Sequence, residues 1–154
     1  KEYFLKRLKK IMIDSHCHLD HSPLYEKLNE VINRAQLAGV KFFLTISTSL
    51  KSFETVKTII SKYENIYGTL GIHPHEVKNH VDVDKKMLLK LKGGNSKIIG
   101  IGETGLDFYY QNSDKIIQKK KCLWKYWKNK KKYNCFCFYF IFIFHNMKYN
   151  ITQC

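Results

Sequence analysis

Proline is scarce in this chain, with 2 among 154 residues, and glycine is held to 8, which together exclude a loop-dominated or collagen-like polypeptide. The 5 cysteines include no C-x-x-C pair, so neither a disulfide framework nor a cysteine zinc site is expected; reduced thiols in a cytoplasmic protein are expected instead. The longest apolar run, residues 136–144, is nine residues long. A membrane-spanning helix needs ~20, so no membrane segment is expected. The basic N-terminus has no apolar core behind it of the kind that a secretory signal requires. Residues 1–11 are read as a basic extension, because Met12 stands directly before the first strand-like run.

Acidic residues are missing from one stretch altogether. Residues 115–154 contain no Asp or Glu, yet they hold 10 Lys, 11 of the 22 aromatic residues and 4 of the 5 Cys. Residues 1–114 hold 17 Lys and Arg and all 13 acidic residues, close to balance. The formal net charge of +14 is therefore mostly a property of the tail, and the two parts need separate readings.

Over residues 11–102 strand-like and helix-like patterns alternate. Short β-branched or aromatic runs lie at 11–13, 40–46, 66–70 and 98–101, each of strand length. After Ser22-Pro23, read as an N-cap with proline at the first helical position, Leu24, Leu28, Val31, Ile32, Ala35 and Ala38 recur at helical spacing up to Gly39. Phe53, Val56, Ile60 and Tyr63 form a second stripe. Asp84 is placed to cap a third helix carrying Met87, Leu88 and Leu91, which Gly93-Gly94 ends. Residues 112–120 read as the start of a fourth. The strand starts are 29, 26 and 32 residues apart, the length of βα units that feed a parallel sheet. An open doubly wound sheet usually has a glycine-rich first turn. Here the first strand runs into Asp14-Ser15-His16-Cys17-His18-Leu19-Asp20, which favours an α/β fold of the (β/α)8 barrel kind, incomplete at about four units.

The polar clusters share one location. Asp14, His16 and His18 follow the first strand, Ser47-Thr48-Ser49 the second, His73-Pro74-His75 the third, and Glu103-Thr104 the fourth. All are carboxyl ends of strands, where barrel enzymes build their sites. Residues i and i+2 of an extended chain point to the same side, so His16 and His18 can reach one ion while Cys17 turns away as a small buried hydrophobe. Imidazole suits zinc and other first-row divalent ions; carboxylate suits magnesium or manganese. Glu103 stands between glycines directly after an apolar strand, where coordination of a cation offsets the cost of burying its charge. His73 and His75 have two readings of equal weight: contacts to substrate or to the ligating side chains, or histidines satisfied by backbone carbonyls at a strand exit. Asp14 and Asp20 divide in the same way between supporting the ligands and shaping a turn.

These residues resemble a known family. Residues 13–20, Gly71-Ile72-His73-Pro74-His75 and residues 99–107 match, in order and spacing, the first half of TatD-type metal-dependent hydrolases. The resemblance implies a (β/α)8 barrel that hydrolyses phosphodiester bonds in DNA with one or two divalent cations. It also implies that His16 and His18 bind the first cation and that Glu103 bridges two. The family supplies further ligands, two histidines and an aspartate, from later strands, so what it implies here is the N-terminal half of such an enzyme, over residues 12–118. A separate chain supplying the other half is the expected partner, with DNA as substrate.

From 119 to 154 the pattern dissolves. Lys, Asn, Phe, Tyr and Ile account for 28 of the 40 residues from 115 onward, and all five have codons built from A and T alone. Translation of an AT-rich gene in a shifted frame, starting near the lysines at 119–121, would produce this composition. Two other readings stay open. Residues 119–132, with Trp124, Tyr126 and Trp127, could serve as a basic, aromatic surface for single-stranded nucleic acid. Residues 138–144, followed by His145, imitate a fifth strand ending in a ligand. For the whole chain the alternatives to the hydrolase are a non-catalytic remnant of a split or degraded gene, or a basic nucleic-acid-binding module.

Overall fold

The computed structural model describes residues 11–121 and the backbone of residues 140–143. Most of the basic extension, the tail from 122 to 139 with its tryptophans, and His145 lie outside the described residues. Four βα units follow one another: β1 (Met12–Cys17), α1 (Leu28–Leu37), β2 (Val40–Thr45), α2 (Leu50–Lys62), β3 (Ile66–Leu70), a 3-10 segment (Pro74–His80), α3 (Lys85–Lys92), β4 (Ile98–Thr104) and α4 (Lys115–Lys121). Strands β1 to β4 are parallel and lie side by side in chain order. A doubly wound sheet reverses its strand order partway; this one does not, which is the barrel's way of winding.

Each expected strand is present, but β1 and β4 run further than their apolar residues do. β1 continues through Ser15 and His16 to Cys17, and β4 through Glu103 to Thr104. A fifth strand, β5 (Phe140–Ile143), pairs with β4, with Gly100 opposite Ile143 and Thr104 opposite Phe140. It runs antiparallel, whereas the fifth strand of a barrel would run parallel to β4.

The core lies between the sheet and its helices. Ile32 of α1, Phe53, Val56, Ile59 and Ile60 of α2 and Leu88 of α3 pack onto Phe43, Ile66, Leu70 and Ile98 of the strands. Helix α2 starts where Ser49 accepts a hydrogen bond from the Ser52 N–H at 3.1 Å, satisfying an otherwise orphaned donor. At its far end the Lys97 ammonium donates to the carbonyls of Ile60 (2.7 Å) and Tyr63, a cation where the helix dipole is negative. Asp84 caps α3 as expected, accepting from the Met87 N–H at 2.8 Å. Helix α1 differs from expectation. Ser22 and Pro23 lie in a turn, the helix begins at Leu28, and Lys27 occupies the N-cap without a side-chain bond. Leu24 and Tyr25 are exposed, so among the described residues nothing buries that first stretch to hold it helical, whereas Leu28, Val31 and Ala35 rest on the core. Gly39 ends the helix with φ of 107°, a conformation that suits glycine.

Candidate metal centre

Alternation along β1 sorts its residues between the two faces of the sheet. Cys17 packs toward the helices, its thiol donating to the Leu44 carbonyl at 3.3 Å. Burial pushes that thiol's pKa up, helped by the charges of Asp14 and Asp20, so it is an inert filler rather than a ligand. His16 and His18 turn to the other face, as does Glu103 from the end of β4. One ligand atom from each of the three lies within 4.8 Å of the other two.

The His18 ring is oriented from behind. Its Nδ1 donates to the Ile46 carbonyl at 3.0 Å, which leaves the Nε2 lone pair directed to Glu103, whose Oε2 is 3.7 Å away. His16 meets the His18 ring edge to face at 5.2 Å and is exposed. Asp14 accepts from the His16 N–H at 3.2 Å, so this acid shapes the strand end instead of joining the ligands.

Glu103 is only 5 % exposed, and burial pushes its carboxyl pKa up against the opposing pull of His18, His16, His21 and His75. A buried carboxylate facing two imidazole nitrogens has an unmet demand for positive charge. Two nitrogens and an oxygen suit zinc or another first-row divalent cation, and the carboxylate also accepts magnesium or manganese.

A hydroxyl network fixes the backbone that carries Glu103. The Glu103 N–H donates to the Ser47 carbonyl at 2.8 Å, and the Thr69 hydroxyl donates to the Gly102 carbonyl at 2.5 Å. Ser47 Oγ in turn donates to the Thr69 carbonyl at 3.0 Å and accepts from the Gly71 N–H at 3.1 Å. Gly71 is glycine for want of room: a Cβ there would lie 2.3 Å from the Gly102 carbonyl carbon. Thr69 carries no functional mark in the sequence, because a threonine in a strand reads as an ordinary β-former.

His73 and His75 do reach the site. With His18, His21, Thr48, Glu76 and Glu103 they line an open pocket of about 470 Å³. Burial, reinforced by the neighbouring His75, lowers the His73 pKa to about 4, so this ring is neutral near pH 7. Its Nδ1 accepts from the His75 N–H at 3.1 Å. His75 pairs through Nε2 with Asp107 Oδ2 at 2.7 Å. Gln118, fully buried, clamps the Asp107 backbone from both sides: its Oε1 accepts from the Asp107 N–H at 2.8 Å and its Nε2 donates to the Asp107 carbonyl at 2.7 Å.

Asp20 falls in a different group from His16 and Glu103. Its side chain is 1 % exposed; Oδ2 accepts from the Ser52 hydroxyl at 2.6 Å and faces His21 Nε2 at 3.4 Å, while Oδ1 has no hydrogen-bond partner among the described residues. His18, Asp20 and His21 form a second group with ligand atoms within 4.8 Å. His21 stacks almost parallel on His18, with centroids 4.9 Å apart. An ion lies in the plane of the imidazole that binds it, so these two parallel rings do not serve a common ion as they stand. Nothing in the spacing of the sequence marked His21.

Comparison with known proteins gives the chain a family. The family model described as TatD related DNase matches residues 13–140. An uncharacterized metal-dependent hydrolase of Buchnera aphidicola subsp. Baizongia pistaciae is 37% identical over 113 residues, covering 70% of this chain and 41% of that protein. A 3'-5' ssDNA/RNA exonuclease TatD of Cronobacter sakazakii is 33% identical over 97 residues, 63% of this chain and 36% of that protein. Among solved structures, the TatD homologue YjjV of Escherichia coli K12 superimposes with a TM-score of 0.66 at 29% identity, over 72% of this chain and 43% of the other. The chain thus spans about two fifths of the length of the relatives it matches, and its four parallel strands are a curled half-barrel. With its motifs and its winding in agreement over most of its length, this chain belongs to the TatD related DNase family of metal-dependent hydrolases.

Proposed function

We propose that the chain provides the cation-binding half of a phosphodiesterase that acts on DNA, with His16, His18 and Glu103 as ligands. The observation that carries this reading is that an imidazole from β1, another from the residue just after it and one buried carboxylate from β4 bring their ligand atoms within 4.8 Å of one another. A divalent cation held there supplies Lewis acidity, lowering the pKa of water and neutralising charge on phosphoryl oxygens. The chain's own residues do the rest. Ile46 holds His18 in the tautomer that offers Nε2. The Ser47–Thr69 network keeps Glu103 on the pocket side, and its two oxygens give it the capacity to bridge to a second cation. Neutral His73 and the Asp107-paired His75 stand on the pocket wall, where a substrate phosphate would meet them. The relative named as an exonuclease for single-stranded DNA and RNA supports nucleic acid as the substrate class.

The test is cleavage of a short DNA strand by the purified chain with Mg²⁺, Mn²⁺ or Zn²⁺ and with chelator. Cleavage that needs the cation and is lost in His16→Ala and His18→Ala supports the reading. Cation-dependent cleavage that persists in both variants refutes the ligand assignment, and no cleavage with any of the three cations refutes the activity for this chain.

A further inference from the structure

Beyond the pocket the aromatic lining continues outward. His73 meets His75 edge to face at 4.4 Å, His75 meets Tyr110 at 5.4 Å, and Tyr110 meets Tyr109 at 4.8 Å. The first two rings line the pocket beside Glu103. The last two stand in the open, with Tyr110 55% and Tyr109 85% exposed. Single exposed apolar residues are ordinary on a protein surface. This pair is unusual in being contiguous with the pocket and in being held fixed. The Asp107 carboxylate that binds His75 also accepts from the Tyr109 N–H at 2.9 Å and the Tyr110 N–H at 3.2 Å through Oδ1. Gln118 clamps the same aspartate by its backbone. One residue therefore couples the wall of the pocket to the backbone under both tyrosines. Two cations stand nearby as well as the acids Asp107 and Asp114: the ammonium groups of Lys115 and Lys119 each lie 5.6 Å from the Phe108 ring.

Exposed rings on a fixed loop, with cations alongside, are the surface that single-stranded nucleic acid uses, because every base has a π-face and every linkage a negative charge. A duplex has its base faces already stacked on one another and offers none to a side chain. We infer that Tyr109 and Tyr110 form a base-stacking subsite that seats an unpaired nucleotide beside the scissile linkage, and so select single-stranded nucleic acid. This deepens the proposed function and rests on it for the cleavage step, though not for binding.

The test measures affinity, so that it stands apart from catalysis. Fluorescence anisotropy compares the full chain on a short single strand, on an abasic strand of equal length and charge, and on the duplex. The intact single strand is expected to bind roughly tenfold or more tightly than either of the others. Tyr109→Ala and Tyr110→Ala are expected to shrink that preference and the double variant to abolish it, while Tyr109→Phe and Tyr110→Phe retain it. Both rings are exposed, so unchanged thermal melts by circular dichroism are expected for all five variants. Equal affinity of the wild-type chain for intact and abasic strands overturns the subsite, as does a preference that survives in the double alanine variant. A chain that prefers intact bases yet cleaves no strand with any cation keeps the subsite and removes the hydrolase reading instead.

Discussion

Strands β1 and β3 belong to one sheet and live in different solvents. β3 has a strand on each side and α2 against one face, and four of its five residues are buried. Among the described residues β1 has a single neighbouring strand, and none of its six residues is buried; Ile13 is 46% exposed. The site draws on both conditions. Glu103 stands in the well-packed part, gripped by Ser47, Thr69 and the close approach of Gly71, whereas His16 projects from the thinly covered strand. The position of a carboxylate is thus set by packing, and that of an imidazole by one or two hydrogen bonds.

Four experiments put this contrast to the test. The largest effect is expected from Glu103→Gln, which keeps the shape and removes the charge: cation-dependent hydrolysis should fall at least ~100-fold, with weaker cation binding by titration calorimetry. Next comes the packing itself. Ile60→Ala, in the fully buried layer under β3, should cost about 2–5 kcal/mol, and Ile13→Ala on the exposed strand less than about 1 kcal/mol, both read from urea midpoints. Gly71→Ala drives a methyl into the Gly102 backbone and should cost about 1–3 kcal/mol, whereas Gly94→Ala, with nothing within 4 Å of the added carbon, should leave the midpoint unmoved. The smallest effect is in pH. His73 titrates near 4 in the fold and at the ordinary 6.5 when unfolded, so between those values the unfolded chain binds the extra proton. Stability is therefore full above about pH 6.5 and declines as the pH falls toward 4. Solvent screening at this half-exposed ring limits the loss to about 1–2 kcal/mol. The slope of urea midpoint against pH should flatten over that window in His73→Asn.

Much of this architecture could be read from residue order alone. The four strands announced themselves by short β-branched runs, and the helices α2 and α3 by their apolar stripes and the Asp84 cap. His16, His18 and Glu103 stood out in the sequence because each comes soon after a short apolar run. What stayed hidden depends on distance through space. Ser22-Pro23 has the local chemistry of a helix start, yet the helix begins where its apolar face first meets the sheet. Thr69 looks like any strand residue until its hydroxyl is seen on the Gly102 carbonyl. Gln118 sits among lysines at the edge of a stretch with no pattern, and its role is to hold Asp107, 11 residues earlier in the chain. His21 carries no spacing signal; only the stacking on His18 shows it.

The bond from His18 to the Ile46 carbonyl ties the ring to the interior. Ile46 is entirely enclosed, and its own N–H donates to the Cys17 carbonyl at 2.8 Å, so the two strands exchange hydrogen bonds across the ligand. A ring just past the end of the least covered strand is thereby suspended from a neighbour that cannot shift without disturbing the interior. The aim of the imidazole is inherited from β2, and disorder at the outer edge of the sheet would reach His16 well before it reached His18.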